Sequence, residues 1–230
     1  MGVPDRCSRL YPAIKRDGPM KTVERFLLEN KAWAEDKIIG EPRFFERLAD
    51  TQTPEVLWIG CSGSRVPPEI IVNAEPGELF VHRNIANQFL TTDFNSLSVL
   101  QYAVDVLKVS HIIICGHYNC GSIQSAMFKQ RHELALVNKW LKPVRDLQRL
   151  HACELEALAD PTERLRYLVE LNVAEQVRNL ANTSIIQQAW GQDARPSLHG
   201  WVYDVRDGLL KELTHLDHRT PMAGLYQYED

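Results

Sequence analysis

The sequence lacks three features that would each define a class of protein. No apolar run approaches the roughly 18 residues that a membrane-spanning helix needs. Basic residues are not in excess, since 26 Lys and Arg stand against 30 Asp and Glu for a net charge of -4, which argues against a nucleic-acid-binding protein. The five cysteines are odd in number and irregularly spaced, which is untypical of a disulfide framework. We therefore expect a cytoplasmic globular protein whose thiols are free or metal-bound, and neither a membrane nor a nucleic acid as partner.

The first 22 residues also lack the apolar stretch of a secretory signal peptide. They combine Arg6, Arg9, Lys15 and Arg16 with few acidic residues, so an organelle-targeting segment stays open as the alternative location signal. We interpret residues 1–21 as a flexible N-terminal arm and residues 22–230 as a single domain.

Short apolar runs alternate with helical patterns along the rest of the chain. This alternation predicts an α/β fold, a mainly parallel β-sheet flanked by helices. Predicted strands are 56–60, 78–82, 111–115, 198–205 and 209–214. Predicted helices are 22–49, 67–72, 93–108, 120–130, 136–152 and 161–181. Asp160 as cap and Pro161 at the first helical position form a start signal for the last of these.

Two of the predicted strands end at potential metal ligands. Cys61 follows the run 56–60, and His117 with Cys120 follows the run 112–116. Active groups gather beyond the carboxyl ends of parallel strands, so the two halves should meet in space. Two thiolates and one imidazole leave a tetrahedral zinc ion with one open position, the arrangement of a catalytic site. Taken singly, each of these side chains is more often part of a core.

Four stretches together resemble the β-carbonic anhydrases. They are C-S-G-S-R-V at 61–66, P-G-E at 76–78, R-N-I-A-N at 83–87 and C-G-H-Y-N-C-G at 115–121. The resemblance extends over residues 24–214 and implies the β-carbonic anhydrase fold with an N-terminal helical arm. It further implies that Cys61, His117 and Cys120 hold one Zn²⁺ per subunit. The implied reaction is the reversible hydration of carbon dioxide to bicarbonate and a proton by zinc-bound hydroxide.

The resemblance also implies roles for residues around the metal. Gln52 and the backbone amide of Gly121 would orient the substrate. The apolar wall of the carbon dioxide pocket would be formed by Phe80, Ile85 and Tyr102. A regulatory bicarbonate would be held away from zinc by Trp58, Arg83 and Tyr203. Without the resemblance, most of these side chains would be interpreted as ordinary core residues.

An assembly is implied as well. Members of this family build each site at a dimer interface, so we expect a homodimer or a dimer of dimers (a homotetramer). The helices within residues 22–50 are expected to pack on a partner subunit.

Gly63 departs from the family pattern, which has an aspartate here, paired with the arginine that is Arg65 in this chain. Glycine cannot accept a hydrogen bond from the nucleophile, and losing one positioned partner commonly costs roughly 10²–10³ in rate. We therefore expect low carbonic anhydrase activity, with Arg65 bonded to an anion, a backbone carbonyl, a neighbouring subunit or solvent. Two alternatives stay open: a catalytically silent zinc-binding relative, and a hydrolase of a sulfur analogue such as carbon disulfide.

Several other side chains are candidate functional groups. His215 and His218, on either side of Asp217, could chelate a metal, although a solvated C-terminal segment is the more common interpretation. We expect Cys115 and Cys153 to be packed side chains.

Overall fold

A computed structural model describes residues 21–228. The predicted flexible arm, including Cys7, lies outside the described residues except for Lys21. The strands are β1 (Val56–Cys61), β2 (Leu79–Asn84), β3 (His111–His117), β4 (Ser197–Asp204) and β5 (Leu209–Leu216). The helices are α1 (Thr22–Gly40), α2 (Phe44–Asp50), α3 (Pro68–Ile71), α4 (Phe94–Gln101), α5 (Gly121–Ala126), α6 (Ala135–Trp140), α7 (Lys142–Leu150), α8 (Ala152–Ala157), α9 (Pro161–Ala181) and α10 (Ser184–Asp193).

The packing of the chain divides it at residue 51, so helices α1 and α2 form one unit and residues from 52 onward form a second. In the first unit Trp33 contacts Phe44 and Phe45 edge-on, with ring centroids 6.3 and 5.7 Å apart. Helix α1 buries none of its residues. The predicted helical segment 22–49 is thus two helices separated by residues 41–43. Its packing on a partner subunit stays a prediction.

The second unit contains a five-stranded sheet in the order β2-β1-β3-β4-β5. The first four strands are parallel and β5 is antiparallel to β4. Register places Gly60 of β1 beside Cys115 of β3, so these two strands end at the same edge of the sheet. The predicted fold class is confirmed.

One face of the sheet carries the main core. Leu57 and Ile59 of β1 and Ile112 and Ile114 of β3 are fully buried there against α4, α9 and α10. Fully burying one such side chain stabilises the fold by about 1.5–3 kcal/mol. The run of apolar residues in each strand is what a parallel strand inside such a core requires.

Two glycines allow α9 to approach the sheet. A Cβ atom at Gly116 would lie 2.6 Å from Val173 of α9, and one at Gly200 would lie 3.0 Å from the same side chain. Any larger residue would push α9 away from β3 and β4. The start of α9 is as predicted, because the Asp160 side chain accepts a hydrogen bond from the Thr162 amide at 2.9 Å.

The other face, which we call the aromatic face, carries a smaller cluster. Its buried members are Trp58, Ile113 and Cys115, with Trp201 and Tyr203 partly buried beside them. The Trp58 and Trp201 rings meet edge-on at 6.0 Å. Among the described residues from 52 onward, every member of this cluster lies in a strand except Val72, which follows α3.

Some predicted helices differ from the observed ones. The helix predicted at 93–108 is α4 followed by a π turn at Tyr102–Val106, and the helix predicted at 120–130 ends at Ala126. Helix α10 was not predicted, although Thr183 caps it by accepting a hydrogen bond from the Ile186 amide. Helix α10 has only 10 residues, and Gly191 lies within it. The periodic pattern of apolar residues that would predict a helix is therefore weak here.

No helix in the described part of the chain combines the length and apolarity that crossing a membrane requires.

Candidate metal centre

The three predicted ligands lie together at the carboxyl edge of the sheet. Cys61 ends β1, His117 ends β3, and Cys120 immediately precedes α5. Their exposed fractions are 4%, 3% and 2%, so no solvent competes for these donors. Their ligand atoms all lie within 4.8 Å of one another, and no other group of three His, Cys, Asp or Glu side chains within residues 21–228 does so.

The spacing of the two thiols fits a single ion. The Sγ atoms of Cys61 and Cys120 lie 3.9 Å apart. Two thiolates on one tetrahedral zinc, each at about 2.3 Å, lie about 3.8 Å apart. The sulfur positions therefore match that geometry without rearrangement.

The orientation of His117 fits as well. Its Nδ1 atom lies 2.9 Å from the carbonyl oxygen of Tyr118, to which it donates. Its Nε2 atom is buried and has no hydrogen-bond partner. The backbone thus fixes the tautomer in which Nε2 carries a lone pair, as ligand histidines normally require. A buried acceptor without a partner is costly, and a metal ion would satisfy it.

The thiols are electrostatically prepared for a cation. A hydrogen bond from Cys120, opposed by burial and assisted by His117, lowers the pKa of Cys61 to about 4. As the donor of that bond and as a buried group, Cys120 has a raised pKa. One thiolate is thus favoured by the protein alone. Full ionisation of the pair requires a positive charge such as a divalent metal.

Arg83 holds the loop that follows Cys61. Its Nε atom donates to the Cys61 carbonyl at 2.8 Å, and its Nη2 atom donates to the Gly63 carbonyl at 2.5 Å. A guanidinium suits this task because its fork offers several donors in fixed geometry. Arg83 therefore positions both the ligand Cys61 and residue 63. Sequence reasoning assigned Arg83 to a regulatory site and did not find this contact.

Position 63 faces the unpaired nitrogen of His117. A Cβ atom built on Gly63 would lie 3.2 Å from His117 Nε2 and 3.5 Å from Val66 Cγ2. The side chain of a larger residue would thus start beside the unpaired Nε2 atom of His117. With glycine here, that space holds no carboxylate, and the donor set consists of Cys61, His117 and Cys120 alone.

Arg65 lies beside the same loop and is exposed. Its Nη2 atom donates to the Asn119 carbonyl at 3.0 Å, between the ligands His117 and Cys120. A backbone carbonyl is one of the four partners expected for this arginine. The contact ties the 61–66 loop to the 117–120 turn.

The predicted substrate-pocket residues are only partly brought together. The rings of Phe80 and Tyr102 lie 5.8 Å apart and are tilted by 37°. Ile85 is 39% exposed, and its carbonyl accepts a hydrogen bond from the indole of Trp140 at 2.7 Å. Their shared role in a pocket stays a prediction.

The two predicted substrate-orienting groups are accessible. Gln52 is exposed in the segment before β1. Gly121 is the first residue of α5, and a Cβ atom there would meet no atom within 4 Å. No contact of a Cβ atom with the described residues requires glycine at this position.

Trp58, Arg83 and Tyr203 lie on or beside the aromatic face. Trp58 and Tyr203 belong to its cluster, and Arg83 is paired in register with Gly60, two residues beyond Trp58. The guanidinium of Arg83 already contacts two carbonyls. A bicarbonate site formed by this trio stays a prediction.

A network of hydrogen bonds and charged pairs packs against the 117–120 turn through Tyr118. The Tyr118 hydroxyl donates to Glu170, and Arg166 stacks on the Tyr118 ring at 3.6 Å. Burial and then Glu170 raise the pKa of Tyr118, so this phenol stays protonated as a donor. Arg166 also contacts Asp204 at 3.2 Å. Sequence reasoning missed this network because its members are far apart in the chain and each is a common residue.

The remaining cysteines differ from one another. Cys115 is buried in the aromatic face, as expected, and burial raises its pKa. The expectation that Cys153 is packed is wrong, because it lies exposed on the two-turn helix α8. Helix α8 buries only Leu155, so its other side chains face solvent.

Comparison with known proteins supplies independent information. A family model described as Carbonic anhydrase matches residues 56–210. The chain is 48% identical over 193 residues to a carbonic anhydrase of Emericella nidulans, covering 84% of this chain and 84% of the relative. It is 35% identical over 188 residues to a carbonic anhydrase of Pseudomonas aeruginosa, covering 80% of this chain and 84% of the relative.

Two solved structures are similar to this chain over most of its length. A crystal structure described as one of two tetrameric β-carbonic anhydrases of Sordaria macrospora superimposes with a TM-score of 0.82 at 40% identity, covering 85% of this chain and 98% of that one. A Coccomyxa β-carbonic anhydrase in complex with acetazolamide gives a TM-score of 0.81 at 37% identity, covering 86% and 89%.

Proposed function

This chain belongs to the β-class carbonic anhydrase family, and we propose that it catalyses the reversible hydration of carbon dioxide to bicarbonate and a proton. The single observation that carries the proposal is the buried donor set. His117 Nε2 is fully enclosed and unpaired, and it lies with two thiols 3.9 Å apart. A structural cysteine pair would not need such an imidazole beside it.

We propose that the resident metal is zinc, one ion per subunit, held by Cys61, His117 and Cys120. These donors fit zinc because thiolate and imidazole are its preferred ligands, and three protein ligands leave one position open. When bound, the ion supplies the Lewis acidity that generates a nucleophile from water near neutral pH.

The residues of the chain have separate tasks in this proposal. Tyr118 keeps His117 in the tautomer that offers Nε2, through its carbonyl. Arg83 fixes the backbone on both sides of Ser62. Gln52 and the Gly121 amide orient carbon dioxide, and Phe80, Ile85 and Tyr102 provide apolar surface that favours an uncharged substrate over water.

We further propose that turnover is slow for a member of this family. Residue 63 starts 3.2 Å from His117 Nε2, which is the place from which a carboxylate could orient a nucleophile. Removing one positioned hydrogen-bonding partner costs roughly 10²–10³ in rate.

We also propose a homodimer or homotetramer in the cytoplasm. The tetrameric Sordaria relative supports the assembly. Free thiol ligands support a reducing compartment. The proposed partners are the small-molecule substrate and further copies of the same chain.

The test is stopped-flow carbon dioxide hydration by the zinc-loaded protein beside its Gly63→Asp variant. We expect Gly63→Asp to raise kcat/KM by roughly 10²–10³ at equal zinc content. Gly63→Ala is the matched control, because it introduces the same Cβ contact of 3.2 Å without a carboxylate. We expect the alanine variant to be no faster than the parent chain.

Two results would contradict the proposal. A parent rate within a few-fold of Gly63→Asp would show that the carboxylate is unimportant here. If both proteins hold full zinc and neither hydrates carbon dioxide, the chain is a silent relative, or a carbon disulfide hydrolase if it turns over that gas.

A further inference from the structure

A second group of histidines lies at the opposite end of the sheet from the metal centre. His111 begins β3, His199 lies near the start of β4, and His215 lies near the end of the antiparallel β5. His111 and the ligand His117 are the two ends of one strand. At about 3.3 Å per residue, they are separated by about 20 Å. The group is therefore distinct from the site already described.

Strand register brings these three rings together. His199 is directly opposite His215 in the β4–β5 pairing, and the two rings are 4.8 Å apart between centroids. The His111 and His199 rings are 5.3 Å apart. The three side chains thus form a row across adjacent strands, on the side of the sheet that carries Trp201.

The distance between two of the ring nitrogens is that of two ligands on one ion. His111 Nδ1 lies 3.2 Å from His199 Nε2. Two imidazole nitrogens, each about 2.05 Å from a tetrahedral zinc, lie about 3.3 Å apart. Binding an ion between them would require little movement of either ring.

A carboxylate holds His199 in the required orientation. Glu212 Oε1 accepts a hydrogen bond from His199 Nδ1 at 2.9 Å and another from the Trp201 indole at 3.2 Å. Donation from Nδ1 leaves a lone pair on Nε2, the atom that faces His111. A carboxylate bonded to the far nitrogen of a ligand histidine is a recurrent feature of metal sites.

Charge and access also favour a cation here. The carboxylates of Glu212 and Glu55 act electrostatically on His199 and His111 respectively. His111 is exposed and His199 is partly exposed, so an ion can reach the pair from solvent and retain water as its remaining ligands.

We propose that His111 and His199 form a second metal site for a borderline divalent ion such as Zn²⁺, with Glu212 as the residue that orients His199. Two imidazoles supply the protein ligands, and the other positions are open to water or to a small anion. The site is shallower than the buried donor set, and its ion exchanges with the solvent. Without an ion, His111 Nδ1 donates a hydrogen bond directly to His199 Nε2.

The test is the zinc stoichiometry of the full-length protein, measured by equilibrium dialysis against buffered free zinc followed by elemental analysis. We expect the parent chain to bind one zinc ion more per chain than either His199→Ala or His111→Ala. Glu212→Gln should keep the extra ion but bind it about tenfold more weakly, because outer partners of ligand histidines typically contribute 10- to 100-fold in affinity.

His132→Ala is the matched control, because His132 is an exposed histidine in a separate turn. It should keep the parent stoichiometry. Every variant should also keep the tightly held zinc of the buried donor set, which shows that it is folded. Equal zinc content in the parent chain and in both cluster variants would overturn the proposal, and so would loss of the extra ion in His132→Ala alone.

Discussion

The two ends of the parallel strands place histidine in two different environments. At the carboxyl end, His117 is 3% exposed and its Nε2 atom has no partner. At the amino end, His199 uses both ring nitrogens, one toward His111 and one toward Glu212. The first arrangement is completed only by an added cation, whereas the second is stable with or without one. Burial, more than residue type, decides how strongly each end requires a metal.

Electrostatics also favours metal binding more at the carboxyl end than at the amino end. At the carboxyl end, the hydrogen bond from Cys120 lowers the pKa of Cys61 to about 4, which favours a thiolate at this position. At the amino end, burial and then the neighbouring His199 lower the pKa of His111, while Glu55 opposes the shift. The lowered pKa favours the neutral form of the His111 ring. A buried thiolate attracts zinc far more strongly than a solvated imidazole pair.

The largest expected effect comes from removing a ligand at the carboxyl end. Cys120→Ala leaves two protein donors, so we expect loss of the tightly held zinc and a fall in carbon dioxide hydration of at least about 10³-fold. Zinc content and stopped-flow rate measure both effects. The exposed Cys153 provides the control, since Cys153→Ala should change neither. At the amino end, His199→Ala should leave the rate unchanged. Full carbon dioxide hydration activity in Cys120→Ala would contradict the role of the carboxyl end as the catalytic metal site.

A smaller effect is expected from the arginine that positions the ligand loop. Lysine offers a point charge in place of a fork, so Arg83→Lys cannot keep both hydrogen bonds to the Cys61 and Gly63 carbonyls. We expect kcat/KM to fall by about 10- to 100-fold, as for other residues that orient ligands, while the zinc content is retained.

Arg178→Lys is the control for this change, because Arg178 forms an exposed pair with Glu175, and its rate should match the parent chain. A second readout tests positioning directly. If Arg83 only stabilised the fold, Arg83→Lys would lower the midpoint of unfolding without changing kcat/KM at 25 °C, and that result would count against a positioning role.

The smallest effect concerns the charged support behind the carboxyl end. Asp204 accepts hydrogen bonds from Arg206 at 2.8 Å and Arg166 at 3.2 Å. Arg206, as the largest influence, holds the pKa of Asp204 far below its usual range. Asp204→Asn should therefore lower the free energy of unfolding at pH 7 by about 1–3 kcal/mol, measured by urea denaturation.

The pH dependence of this difference has a definite sign. A carboxyl group whose pKa is lowered on folding stabilises the folded state above its unfolded pKa of about 3.9. The stabilisation is lost as the pH falls from there through the folded pKa. The gap between the parent chain and Asp204→Asn should therefore be equal at pH 7 and pH 5. If the difference in free energy of unfolding already disappears at pH 5, Asp204 is not the group responsible. The control variant Asp207→Asn changes an exposed side chain and should leave the free energy of unfolding unchanged.

The metal centre was accessible to sequence reasoning because each donor follows a strand. Apolar runs predict the strands, parallel strands align their carboxyl ends, and the glycines mark turns, so the sequence alone places Cys61, His117 and Cys120 together. The position of residue 63 beside the same donors follows from its place two residues after Cys61. The start of α9 at Pro161 was equally accessible, because Asp160 and Pro161 act locally.

Other contacts were out of reach for physical reasons. Arg83 reaches the Cys61 loop through the pairing of β2 with β1, and the sequence does not state which strands are neighbours. Glu170 supports Tyr118 from a helix 52 residues away. The histidine row depends on register, because a shift of one residue would turn every side chain to the opposite face. His215 seemed paired in sequence with His218, yet its ring contacts His199.

By itself the sequence determined the local features of this protein: where the five strands lie, where α9 begins, which residues can bind a soft or borderline metal, and the lack of a carboxylate at position 63. These depend on side-chain chemistry and on short spacing along the chain. Only the tertiary structure decided which groups meet across the sheet, namely Arg83 on the ligand loop, His111 on His199, and Glu170 beneath Tyr118. Such contacts arise from strand order and register, which are set by packing of the whole core and are not encoded at any single position.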